Sequence, residues 1–284
     1  MRLLLDTSSV LYRAFFALPT SITAPDGSPV NAVRGYLDMT ARLVADRRPH
    51  DVVHVLDDDW RPAPRVAAFP GYKSERAPDP EGLPAQFSLL SAVLDAVGHT
   101  QVHAPGWEAD DAIGALCAAA RGEERIDVVT GDRDLLQLVR DPHVRVLFTV
   151  KGVSELTVFD EAAVLERYGV PAGRYVDFAI LRGDPSDGLP GVPGVGPKTA
   201  ADLVTAYPDL DALLADAASQ TPRLAQRLAA AGEYLTAMRS VVPVVTDVAL
   251  ETRTGTRDDA TLDDLAEHHN LEGPVNRLRE ALDG

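Results

Sequence analysis

Cysteine is almost missing from this chain: Cys117 is the only one. A single thiol excludes an internal disulfide and any cysteine-rich zinc site. Its setting in AIGALCAAA reads as a small buried helix residue. The seven histidines show no ligand spacing, and no Ser/His/Asp or Cys/His constellation is evident. Long apolar runs are missing too. RLLL and VVHVL fall far short of the roughly 18 residues that a membrane-spanning helix needs. Asp6 interrupts MRLLLDTSSV before it can form the apolar core of a signal peptide. The expectation is a cytoplasmic protein that makes no use of a membrane. No internal repeat or low-complexity tract is present.

Positive charge is also scarce. The 284 residues hold 27 Lys and Arg against 43 Asp and Glu, a formal net charge of −16. Spread evenly, that charge would repel nucleic-acid phosphates. Concentrated around divalent metal it would not, because the ion reverses the local field. The 45% hydrophobic content suffices for a sizeable core, in one large domain or one domain with an appended part.

Three short apolar runs each end at an acid: RLLL before Asp6, VVHVL before Asp57 and IDVVTG before Asp132. Helical patterns such as VNAVRGYLDMTARLVAD and EADDAIGALCAAARG alternate with them, which predicts a parallel, doubly wound sheet. Ligands in such sheets bind beyond the carboxyl ends of the strands, so all three aspartates should share one edge. Residues 60–84, WRPAPRVAAFPGYKSERAPDPEGLP, are Pro-rich and basic and read as an excursion from that edge, mobile or partly ordered. From about 184 a Gly/Pro-rich turn region leads into alanine- and leucine-rich helices. GTRDDATLDD, from 255, reads as a solvated acidic linker before a last helix.

GWEADD places Glu108, Asp110 and Asp111 together, and GDRD adds Asp132 and Asp134. Like charges at about 4 Å cost roughly 4 kcal/mol per pair at an effective dielectric near 20. Either these acids face solvent at a helix start, where the dipole favours them, or a cation sits among them. GDPSDG contributes Asp184 and Asp187, in a composition that also suits a plain turn. Asp6, Asp57, Glu108, Asp110, Asp111, Asp132, Asp134, Asp184 and Asp187 together form an all-oxygen donor set suited to Mg²⁺ or Mn²⁺. So many carboxylates suggest two or more ions, the pattern of phosphodiester cleavage.

GVPGVGPKTA is neither a P-loop, since Pro197 separates Gly196 from Lys198, nor a dinucleotide fingerprint, since it follows a turn. It fits a hairpin between two helices whose backbone can approach a phosphate, or a plain connecting turn. In FPGYKSER, Lys73 and Arg76 could reach one phosphate and Tyr72 could stack on a base, unless the stretch is only a solvated basic loop.

Taken together, LLDTSS, GYKSER, GWEADD, TGDRDLLQL and GDPSDGLPGVPGVGPKTA resemble, in this order and at these separations, the 5′-nuclease family. That family comprises the flap endonucleases and the 5′–3′ exonuclease domain of bacterial DNA polymerase I. The likeness covers about residues 1–245 and is greatest to stand-alone actinobacterial members. It implies an α/β fold with a central parallel sheet and flanking helices, a helical arch or clamp, and a C-terminal helical part. A helix–three-turn–helix element in that part would grip DNA. The implied division is an α/β nuclease domain over 1–183, with the arch at about 60–100, and a helical region over 184–284.

By the same resemblance, Asp6, Asp57, Glu108, Asp110 and Asp111 would form a first metal cluster, partly through water. Asp132 and Asp134 would bridge to a second, completed by Asp184 and Asp187. Tyr72, Lys73 and Arg76 would stand at the arch base, with Lys73 and Arg76 acting on the scissile phosphate. Gly194, Gly196 and Lys198 would hold the duplex, with a potassium ion. The implied activity is a divalent-metal-dependent, structure-specific 5′ nuclease, a monomer acting on a 5′ flap, nick or 5′ end, including RNA-containing ends. The alternative is a non-catalytic, metal-stabilised DNA-junction-binding protein; a PIN-type ribonuclease shares the acidic core but not the hairpin or the basic excursion. Two departures stand out: Gly188 follows Asp187 where many relatives carry Asn, and Asp58 and Asp59 crowd Asp57.

Overall fold

RLLL becomes strand β1 (Arg2–Asp6), with Leu3, Leu4 and Leu5 all fully buried. Three successive buried leucines mean that both faces of the strand are covered, and here two helical layers cover them. Leu3 and Leu5 pack into one hydrophobic cluster and Leu4 into the other, as alternation across a strand requires. The computed structural model describes residues 1–284 in full.

The chain continues through α1 (Thr7–Ala17), α2 (Asn31–Arg47), β2 (Asp51–Val55), α3 (Ala63–Ala68), α4 (Leu83–Val97), β3 (Thr100–His103), α5 (Ala109–Ala119) and β4 (Ile126–Thr130). A 3₁₀ turn (Asp134–Leu138), β5 (Val144–Lys151), β6 (Glu155–Phe159) and α6 (Glu161–Tyr168) follow. Then come α7 (Tyr175–Arg182), α8 (Pro197–Ala206), α9 (Leu210–Ala215), α10 (Pro222–Ala230), α11 (Gly232–Val241), β7 (Glu251–Thr254), α12 (Asp259–His268) and α13 (Glu272–Asp283). The seven-stranded sheet runs β6-β5-β4-β1-β2-β3-β7. Strands β1 to β5 are mutually parallel, while the two edge strands β6 and β7 pair antiparallel. The order reverses direction at β1, which lies between β2 and β4, so a crevice opens at the carboxyl ends of these three strands.

Four expectations are corrected. The excursion from the sheet is shorter than 60–100, because α4 is a core helix with Leu83, Leu90, Val93 and Leu94 buried, and only the short helix α3 stands in the basic stretch. A division at 183/184 would part the two arms of the hairpin, since α7 already packs against α8. The region 184–284 is also not one helical unit. After α11 the chain returns to the α/β body, where β7 extends the sheet at β3 and α13 packs on α2. GTRDDATLDD is no linker: Asp258 caps α12 by accepting from the amides of Ala260 and Thr261, while Asp259 and Asp263 pair with Arg279. No helix is long and apolar enough to cross a membrane.

Candidate active site

Asp6 is the last residue of β1 and also the N-cap of α1, accepting from Ser9 N–H at 3.1 Å and from the Thr130 hydroxyl at 2.7 Å. Asp57 follows β2 and accepts from Ala109 N–H at 2.8 Å, so it caps α5 from a neighbouring strand. Asp110 lies in the first turn of that helix. Beyond β4, Asp132 Oδ1 accepts from Asp134 N–H at 2.9 Å, and Asp134 opens the 3₁₀ turn. The sheet edge and the helix starts are therefore one feature. The backbone amides that prefer an anion face the same crevice as the strand ends.

Asp58 and Asp59 are turned elsewhere: Asp58 accepts from Gly106 N–H at 2.7 Å and Asp59 from Arg61 N–H at 2.9 Å. These two acids shape the loop after β2.

Glu108 and Asp111 differ from Asp6, Asp57, Asp110, Asp132 and Asp134 because cations already hold them. They form a capping box at the start of α5. Arg65, buried on α3, donates from Nη1 to Glu108 Oε2 at 2.7 Å. It also grips Asp111 with Nη1 to Oδ2 at 2.6 Å and Nη2 to Oδ1 at 2.7 Å. Its Nε and Nη2 donate further to Val241 O and Pro243 O. Asp111 also accepts from Val245 N–H at 2.8 Å and is 0% exposed, so it serves the guanidinium and not the crevice. Asp111 therefore stands apart from the open carboxylates of the crevice. Arg65 was not singled out from the sequence, because one arginine among several cations in a Pro-rich stretch carries no local sign of burial.

Tyr72 is buried, at 4% exposure, and its hydroxyl donates to Glu108 Oε2 at 2.6 Å. Its ring lies beside Arg65 and Lys73, with the Lys73 ammonium 5.0 Å from the ring centroid. In this arrangement the ring presents no open face to a base. The Lys73 ammonium hydrogen-bonds Glu108 and lies 3.8 Å from Asp187, and Arg76 approaches Asp187 at 3.4 Å. Both cations thus meet at one carboxylate, through a backbone turn and not a helical face.

Asp187 and Asp184 lie in the loop after α7. Asp184 accepts from Ser186 and pairs with Arg182 at 3.4 Å. The Lys73 amide donates to the Asp187 carbonyl at 2.9 Å. Gly188 has φ +72, and a Cβ there would stand 2.7 Å from Gly71 O. Glycine therefore lets the basic turn sit directly on this loop. The hairpin between α7 and α8 is braced by Tyr234, which accepts from Gly191 N–H and donates to Ile180 O, both at 3.1 Å. Arg227 lies against Gly194, while Gly196 is an N-cap without a side-chain partner and Lys198 is exposed.

The crevice is strongly anionic. Burial raises Asp6 to about 7, reinforced by Asp57 and Asp132. Burial followed by the Asp132 charge holds Asp110 and Asp134 well above the usual carboxylate range. Glu108 and Asp187 are raised by burial despite the opposing pull of Lys73. Burial alone would pull the Lys73 ammonium down, yet Glu108 and Asp187 keep it above the ordinary lysine value.

No three His, Cys, Asp or Glu side chains close into a ligand set as they stand. The residues nonetheless fit a hard divalent cation on two counts. The free donors are all oxygen, and Asp134 Oδ1 is buried with no hydrogen-bond partner at all.

Comparison with known proteins places the chain in a family. Residues 1–169 match the family model described as 5′–3′ exonuclease, N-terminal resolvase-like domain, and residues 170–266 match 5′–3′ exonuclease, C-terminal SAM fold. A Streptomyces coelicolor protein named 5′–3′ exonuclease is 49% identical, with 99% of each chain covered. One of that name from Mycobacterium tuberculosis is 43% identical, covering 99% of this chain and 97% of the other. The DNA polymerase I of Mycobacterium bovis is 42% identical over 87% of this chain but only 27% of its own length. Among solved structures, the bacteriophage T5 5′-exonuclease with bound zinc shares the fold, with a TM-score of 0.68, 15% identity and coverage of 100% and 99%. So does the catalytic core of Rad2 in complex with DNA substrate, with a TM-score of 0.60, 17% identity and coverage of 99% and 92%. The fold and the relatives are those of a nuclease. The chain belongs to the 5′–3′ exonuclease family.

Proposed function

We propose that this enzyme is a divalent-metal-dependent, structure-specific 5′ nuclease that hydrolyses DNA phosphodiesters near single-strand/double-strand junctions. Mg²⁺ or Mn²⁺ is the cofactor in this reading, and the substrates are 5′ flaps, nicks and 5′ ends, RNA-containing ones included. The observation that carries it is the bare, buried Asp134 oxygen among carboxylates whose ionisation is suppressed at the strand ends. A site that penalises its own charge so heavily is built for a cation.

Asp6, Asp57, Asp110 and Asp132 would hold one ion, and Asp134, Asp184 and Asp187 a second. Bound divalent ions supply Lewis acidity at the scissile phosphate and lower the pKa of attacking water. Lys73 and Arg76, drawn together at Asp187, would exchange that carboxylate for the phosphate. Glu108 acts in this reading as the counter-ion that positions Lys73, not as a free ligand. Gly194, Gly196 and Lys198 would meet the duplex backbone, where the α8 amides lack a side-chain cap and a potassium ion could join them.

The test is incubation of the pure protein with a 5′-labelled flap, with and without Mn²⁺, alongside Asp132→Asn. One short metal-dependent product cut near the junction, lost by orders of magnitude in the variant, supports the proposal. Single nucleotides would move the reading to an exonuclease. Junction binding without cleavage in any metal would instead favour a non-catalytic binding protein.

A further inference from the structure

Two buried polar atoms close to the crevice have no hydrogen-bond partner. One is Asp134 Oδ1, on the first residue of the 3₁₀ turn, and the other is the Tyr175 hydroxyl, on the first residue of α7. The turn packs directly on α7. Tyr175 is 0% exposed, its ring set edge-on to Tyr168 at 5.2 Å and tilted against Phe178 at 5.6 Å, so the phenol cannot swing out to water. A phenylalanine would fill the same space without burying a hydroxyl, and a buried tyrosine hydroxyl ordinarily finds an acceptor. Arg182, on the same helix, is engaged with Gly183 O and Asp184. Burial chiefly raises the phenol, with Tyr168 and then the Asp134 charge adding to it.

We propose that Tyr175 is a positioning residue for Asp134: through one buried water its hydroxyl donates to the bare carboxylate oxygen, fixing the rotamer in which Asp134 meets a divalent cation. A buried water needs two to four polar partners, and among the five buried side-chain atoms without a hydrogen-bond partner these two stand on elements that pack together. The bridge would also tie α7, the first arm of the hairpin, to the acidic crevice, so that seating the duplex and orienting a ligand become mechanically linked. Hydrogen bonds behind a ligating carboxylate typically change metal affinity by about 10- to 100-fold.

This inference rests on the metal-site reading above, and the experiment separates the two. Mn²⁺ alone is titrated calorimetrically into the metal-stripped full chain, wild type and Tyr175→Phe, and Tm is measured in EDTA. The expectation is about tenfold weaker binding at one Mn²⁺ site in the variant, together with a Tm lowered by about 3 °C. In an Asp134→Asn background, Tyr175→Phe should leave Mn²⁺ binding unchanged. A raised Tm with unaltered Mn²⁺ affinity would show the hydroxyl to be bare, and a lowered Tm with unaltered affinity would show a packing role only. Either result overturns this inference while leaving the metal site standing. Absence of Mn²⁺ binding by the wild type would remove both.

Discussion

Arg65 holds Asp111 through two parallel hydrogen bonds, at 2.6 and 2.7 Å, with both side chains almost wholly buried. This carboxylate is the counter-ion of a guanidinium that joins α3, the start of α5 and the segment after α11. Asp111→Ala would strand a buried positive charge, and breaking such a pair costs about 3–5 kcal/mol. Urea unfolding should register that loss, while the number of Mn²⁺ ions bound by the folded fraction stays the same. A variant of native stability that has lost an ion would place Asp111 back among the ligands.

Gly188 answers a different kind of question, about why this chain departs from Asn after Asp187. Asparagine tolerates the left-handed conformation that φ +72 demands, so the backbone alone does not forbid it. The obstacle is Gly71 O, 2.7 Å from where the Cβ would be. Gly188→Asn should therefore lift the basic turn off the loop, break the bond from the Lys73 amide to Asp187 O, and move Lys73 and Arg76 together. With a flap substrate, kcat should fall by about tenfold or more with little change in KM, since a displacement of about 1 Å is enough to cost that much. Equal kcat in the two proteins would show that the turn re-seats and that the glycine has no functional consequence.

The legible part of this molecule was the part in which burial and chemistry coincide. Strands β1, β2 and β4 are covered on both faces, so each reads as an apolar run, and the acids at their ends follow from where such strands deliver ligands. Strand β7, ETRT, could not be read this way. All four residues are exposed, and the strand exists because its backbone pairs with β3. The acids of α12 looked like a solvated linker because Arg279, which answers both Asp259 and Asp263, is a partner only in three dimensions. The contact of Asp111 was hidden for the same reason. Its helical spacing from Glu108 is visible in GWEADD, but the buried Arg65 that claims it lies in a distant, Pro-rich stretch.

The raised carboxylates make stability depend on both pH and metal. For Asp6, the folded state holds its proton up to about 7, whereas the unfolded chain releases it near 3.8. Between these values the native state binds more protons, so this contribution is complete at acid pH and is lost as pH rises through about 7. A shift of that size corresponds to on the order of 4 kcal/mol. The buried His54–His99 pair acts in the opposite sense. Burial lowers His99 to about 4 and His54 well below its ordinary value, so acidification below about 6.5 costs stability there. Comparison with Asp6→Asn isolates the carboxylate. In EDTA, the wild-type Tm relative to the variant should fall steadily from pH 4 to pH 7 and then level off. At pH 8, Mn²⁺ should restore several degrees to the wild type and less to Asp6→Asn, because an ion that binds only the folded state stabilises it by mass action. Parallel pH curves for the two proteins in EDTA would mean that Asp6 is ionised without a cation, and the crevice would then lack the electrostatic strain on which its affinity for metal is argued.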